Sequence, residues 1–270
     1  MIKIILVVLS AMLILSGCAS NEGGDNFKAP VNTLVFVHGA HLTSNAWSSV
    51  VVLLEKDGYN TIAVNLPGRE QSANPNKITL DVSSQALCDA IENISTPITF
   101  ISHSQGGAIV NNALSICPMG NIKNIIYVAA VAPINGDKPF SLLNSSDEEN
   151  YFKGVSFDEK SGWMVINSKE SFVSVFTNST SNEVVNLISS QAVNEPAIIG
   201  DGVVSYEEEY FSRINKFYIY TTQDKIISLR SQESIVKKID LKNHATMDTG
   251  HLPMISSPLN LAIKIKTFLP

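Results

Sequence analysis

Between Ile98 and Val110 the chain reads ITFISHSQGGAIV, an apolar run that passes through a short polar turn into a helical pattern. Ile98 to Ser102 has the composition of a buried strand, and Gly107 to Ile116 repeats apolar residues at helical spacing. The turn between them holds Ser104, with small residues around it at Ser102, Gly106 and Gly107. A serine in a sharp turn from a parallel strand to a helix has its hydroxyl raised above the carboxyl edge of the sheet. The pattern Gly-x-Ser-x-Gly that builds such turns is met here except at its first position, where Ser102 stands. The bland alternative is that Ser104 only caps the helix, so other segments must decide.

Working outward, the same rhythm recurs. TLVFVHG from Thr33 and NTIAVNLPG from Asn60 read as strands, with a helix between them from about Asn45 to Gly58. A helix follows over Leu80 to Ile94, and a strand over Asn124 to Ala130. After Pro133 the rhythm breaks into a mixed, partly helical stretch rich in Ser, Asn, Glu and aromatic residues, up to about Ser212. It reads as an insertion. KFYIYTT, Lys216 to Thr222, restores the strand pattern, followed by a helix at Leu229 to Val236, a short strand near Ile239 and a last helix from Pro258 to Leu269. Alternating strands and helices predict an α/β fold, a mostly parallel sheet of about six strands with helices on both faces. A chain of 270 residues, 44% hydrophobic, is long enough for one sizeable core. A net charge of -6, with 19 Lys and Arg and no long basic run, argues against nucleic acid as the partner. A small neutral or apolar ligand fits better.

Residues 1–31 read differently. Lys3, an apolar run from Ile4 to Leu15 and then LSGCAS make an export signal, too short to span about 30 Å of hydrocarbon. The box Leu15 to Cys18 resembles a bacterial lipoprotein signal and implies cleavage of residues 1–17 and lipidation of Cys18. Residues 18–31 then form a polar tether, and residues 32–270 the folded domain. Ala19, rather than Asp, follows Cys18, so in a cell with two membranes the resemblance favours the outer one. Cys88 and Cys117 remain, on two successive predicted helices. They are expected to be small buried hydrophobes, with a disulfide as the lesser reading.

A serine hydroxyl is a poor nucleophile at neutral pH unless a base takes its proton and a third group fixes the tautomer of that base. In this architecture the acid is expected after a late strand and the base in the loop before the last helix. Asp224, just past KFYIYTTQ, and His251, in DTGHLPMISSP, stand there. Asp248 is a weaker rival, only three residues from His251, and Asp201 falls in the insertion. Attack on a carbonyl also needs two donors for the oxyanion. The backbone N–H of Gln105 and that of Ala40, in the HGAH turn where Gly39 allows close approach, are the expected pair. His38 is expected to stabilise that turn, and His41, His103 and His244 to be structural or on the surface.

With these segments assembled, VFVHGAHLTSNAW, GYNTIAVNLPGRE, SHSQGG, YTTQDKIIS and GHLPMISSP together resemble an α/β-hydrolase, most closely the branch containing plant methylesterases and hydroxynitrile lyases. The likeness covers about residues 32 to 270. It implies Ser104 as nucleophile, Asp224 as acid and His251 as base, needs no cofactor or metal, and makes residues 134–212 a cap over the site. The lyases of this branch carry a threonine after the first motif histidine and a lysine after the catalytic histidine. Here Gly39 and Leu252 take those places, which argues against cyanohydrin cleavage. The two antiparallel strands that lead larger members are expected to be absent. The expected function is hydrolysis of small carboxylic esters at a lipid-anchored envelope protein. A thioester, amide or lactone hydrolase and a non-catalytic binding lipoprotein on the same scaffold are the alternatives. In the cap, Trp163, Met164, Phe172 and Phe176 either line an apolar pocket or hold the cap to the core.

Overall fold

The computed structural model describes residues 32–70, 72–117 and 120–269. The expected signal, Cys18 and tether, and any strand before residue 32, lie outside the described residues. The first four strands are β1 (Thr33–Val37), β2 (Asn60–Val64), β3 (Ile98–His103) and β4 (Ile122–Val128). Helices α1 (Ser48–Lys56), α2 (Leu80–Ile91) and α3 (Gly106–Ala113) fall between them. After an inserted segment come β8 (Asn215–Thr221), α8 (Leu229–Val236), β9 (Leu241–Met247), α9 (Pro253–Ser256) and α10 (Pro258–Lys266).

The main sheet runs β2-β1-β3-β4-β8-β9, and every neighbouring pair is parallel. All residues of β1 and β3 are buried, as expected when a parallel sheet is covered on both faces. Helix α1 packs with α10, and α2 with α3. The chain leaves β1 for β2 on one side and returns to β3 on the other. The loops after β1 and β3 therefore flank the point where the strand order reverses, the usual crevice of an open α/β sheet.

The inserted segment does not join this sheet. It contains α4 (Ser145–Gly154), β5 (Val155–Asp158), β6 (Trp163–Ile166), α5 (Lys169–Phe176), α6 (Asn182–Gln191), β7 (Glu195–Pro196) and α7 (Glu208–Arg213). Its three strands pair antiparallel in the order β5-β6-β7.

Two sequence expectations need correction. The late edge strand is not a short one near Ile239 but seven residues long, Leu241–Met247. Its sequence LKNHATM is mostly exposed, so no apolar run marks it. Cys88 and Cys117 are not free thiols: they form a disulfide. Both are buried, as expected. The packing of α3 along α2 brings the two together, a relationship that sequence spacing does not carry.

Candidate active site

The loop between β3 and α3 has little room for side chains. Ser104 adopts φ 51°, a left-handed conformation uncommon for a residue with a β-carbon. A β-carbon on Gly106 would sit 2.7 Å from the His38 carbonyl oxygen, and one on Gly107 would overlap the Val131 carbonyl. Glycine at both positions lets the start of α3 lie against the loops after β1 and β4. Gly39 is similarly confined, since a β-carbon there would lie 2.6 Å from Ser104 Cβ. The threonine that lyases of the resembling branch carry has no space on this backbone. Ser102 is fully buried, and its hydroxyl has no partner among the described residues.

The structure brings three expected residues together. Ser104 Oγ lies 3.0 Å from His251 Nε2, and His251 Nδ1 lies 2.7 Å from Asp224 Oδ2. The carboxylate can only accept, so Nδ1 carries the proton and Nε2 offers its lone pair to the serine hydroxyl. Asp224 is held in turn by the N–H groups of Ile226 and Ile227 on Oδ1, at 2.8 and 3.0 Å, and by Thr221 Oγ1 on Oδ2 at 3.0 Å. The rival acids point elsewhere. Asp248 accepts from Thr222 and Gln223, and Asp201 pairs with Lys138. Among the described residues, the backbone N–H groups of Ala40 and Gln105 donate to no acceptor in the protein.

The other histidines hold the frame. His38 Nε2 accepts from the Leu66 N–H at 3.1 Å and its Nδ1–H donates to the Gly39 carbonyl at 2.9 Å. Burial, with the Arg69 charge nearby, lowers its pKa to about 3, so the ring is neutral. His103, also driven well below its ordinary range by burial, donates Nε2–H to the His251 carbonyl. His41 is fully buried, whereas His244 lies on an exposed part of β9.

Above the site, Phe176 packs edge-on to His251 with ring centres 5.6 Å apart, and Phe172 stacks on Phe176 at 4.0 Å. These two cap residues therefore bind the insertion to the core, and Ser104 is only 6% exposed. Trp163 instead borders a cavity of about 300 Å³ with Arg69, Glu70 and Val193.

The chain matches the model of the alpha/beta hydrolase family over residues 34–263. It belongs to that family. "Putative methylesterase 14, chloroplastic" of Arabidopsis thaliana is 25% identical over 248 residues, 86% of this chain and 70% of that protein. Among solved structures, a pyrethroid hydrolase from Sphingobium faniae JZ-2 superposes with a TM-score of 0.78 at 19% identity, covering 88% of this chain and 97% of the other. Polyneuridine aldehyde esterase gives 0.77 at 18% identity, covering 88% and 98%. These structural likenesses establish the α/β-hydrolase fold.

Two residues that sequence reasoning does not single out also meet here. Arg69 Nη2 lies 2.7 Å from Glu195 Oε1, and both side chains are 2% exposed. No sequence signal marks this pair, because burial of a charge is decided by packing.

Proposed function

We propose that this α/β-hydrolase cleaves small carboxylic esters through a covalent acyl-enzyme. Ser104 attacks the carbonyl carbon as His251 Nε2 takes its proton, and Asp224 stabilises the imidazolium that results. The carbonyl oxygen, now an anion, receives the N–H groups of Ala40 and Gln105, each such donor being worth on the order of 10²–10³ in rate. Collapse expels the alcohol, which collects the proton from His251. Water activated by the same imidazole then releases the acid and restores Ser104.

The observation that carries this reading is the unbroken chain from Asp224 through His251 to Ser104, on a turn where the serine holds φ 51°. Packing alone gives no reason for a carboxylate, an imidazole and a strained serine from three distant segments to align. Resemblance to the methylesterases supports an ester as the substrate class. We propose further that the protein is exported and anchored by lipid on Cys18 in the cell envelope. The disulfide supports export, since such bonds persist in oxidising compartments.

A fluorophosphonate probe, with a panel of aryl esters of graded chain length, tests the enzyme reading. Wild-type protein is expected to be labelled at Ser104 and to turn over the short esters. Ser104→Ala should lose both while remaining folded. If the folded wild type neither reacts with the probe nor hydrolyses esters, thioesters or lactones, it is a binding protein.

A further inference from the structure

We infer that Glu195, carried by the inserted segment, is a positioning residue that holds both oxyanion donors in place, so that the site is complete only while that segment is seated. The inference rests on the hydrolase reading above and goes beyond it, because Glu195 touches none of the reacting atoms.

The Glu195 carboxylate gathers donors from three separate loops of the main domain. Oε2 accepts the backbone N–H of His41 at 3.1 Å. Oε1 accepts Gln105 Nε2 at 3.0 Å and Arg69 Nη2 at 2.7 Å. His41 directly follows Ala40, and Gln105 is itself the second oxyanion donor. One carboxylate thus bridges the two strips of backbone whose N–H groups must converge on a single oxygen.

Locally the turn is tied by the His38 Nδ1–H bond to the Gly39 carbonyl, yet His41 itself sits in an uncommon conformation. Its φ is 62°, a conformation that residues with a β-carbon rarely adopt. Its fixation comes from the insertion. Besides the Glu195 bond, His41 Nδ1–H donates to the Val193 carbonyl at 2.9 Å, the His41 carbonyl accepts the Val193 N–H at 3.0 Å, and Nε2 accepts from the Tyr151 hydroxyl at 2.8 Å. All three partners belong to the inserted segment.

An ion pair is a poor choice if the only need is to glue the segment down. Desolvating Arg69 and Glu195 costs about as much as their attraction returns, and apolar residues of similar size usually serve as well or better. A carboxylate does something apolar residues cannot: it accepts from His41, Gln105 and Arg69 together. Arg69 supplies the charge that allows the carboxylate to be buried there.

The test uses the full chain with para-nitrophenyl acetate as substrate and trifluoroacetophenone as a ketone that forms an oxyanion on Ser104. It compares Glu195→Gln and the double variant Glu195→Leu with Arg69→Met. Glu195→Gln should lower kcat by about 10- to 100-fold, a fraction of the effect of losing both oxyanion donors. KM should change much less, and trifluoroacetophenone affinity should fall in step with kcat. The double variant, with no unpaired buried charge, should regain the thermal stability lost in Glu195→Gln yet keep the low kcat. A purely structural role predicts that both return together. Hydrogen exchange of the segment from Gly39 to Thr43 should quicken in both variants, a readout independent of turnover. Wild-type kcat in the folded double variant, or unchanged exchange over that segment, would overturn the inference. A wild type inactive on all esters removes the hydrolase reading instead, and the exchange result then decides alone whether Glu195 holds the loop.

Discussion

His103 donates its Nε2–H to the main-chain carbonyl of His251 at 2.8 Å, so the residue just before the serine anchors the loop that brings the imidazole to it. Their rings lie 4.6 Å apart. His103→Phe keeps most of the volume and removes the donor, leaving a buried carbonyl unsatisfied. The expected outcome is a stability loss of about 1–3 kcal/mol, read from urea unfolding, together with a lower kcat. An unchanged kcat would mean that the loop is held by other contacts.

Asp224→Asn tests the third member of the chain. An amide at 224 can turn its NH2 toward Nδ1 and favour the imidazole tautomer that cannot accept the Ser104 proton. The expected loss is roughly 10⁴-fold in kcat with folding retained. Steady-state kinetics at saturating aryl ester measures it. A loss below about tenfold would remove Asp224 from the mechanism.

The disulfide closes a loop with a sequence separation of 29. Loop-closure entropy for that length gives roughly 3–4 kcal/mol of stabilisation. Cys88→Ala with Cys117→Ala, or reduction of the native protein, should lower the denaturant midpoint accordingly. Two titratable free thiols in the unfolded, unreduced protein would contradict the bond.

The pH dependence of stability follows from the buried imidazoles. Burial lowers His41 to about 4, and burial with the Arg69 charge lowers His38 to about 3. In the unfolded chain both bind protons below about pH 6.5. Above that pH neither contributes. As pH falls toward 4 the unfolded state alone takes up protons, so stability drops by about 1.4 kcal/mol per pH unit for each ring. Glu195, raised by burial, works in the opposite sense and offsets part of this. Unfolding free energy at pH 4.5 is expected to be lower than at pH 7, by about 2 kcal/mol. Equal values at the two pH values would contradict this net direction.

For the anchor, Cys18→Ala should block processing or release the protein from membranes. Fractionation and intact-mass measurement read both outcomes. Unchanged processing and membrane partition would sink the lipoprotein proposal.

The parallel sheet, the serine turn and the order Ser104, Asp224, His251 are legible in the chain alone. Each rests on local or periodic information: buried strands read as apolar runs, and a tight turn demands small residues at 106 and 107. Gly107 shows the limit, because its need for glycine is visible in sequence while the Val131 carbonyl that imposes it is not. Tertiary structure alone decided that Cys88 meets Cys117, that LKNHATM is a full edge strand, and that Arg69 and Glu195 share a buried ion pair. Pairing of this kind depends on which surfaces packing brings together. A single sequence shows what each residue is able to do, and only the packed chain shows which residue stands opposite it.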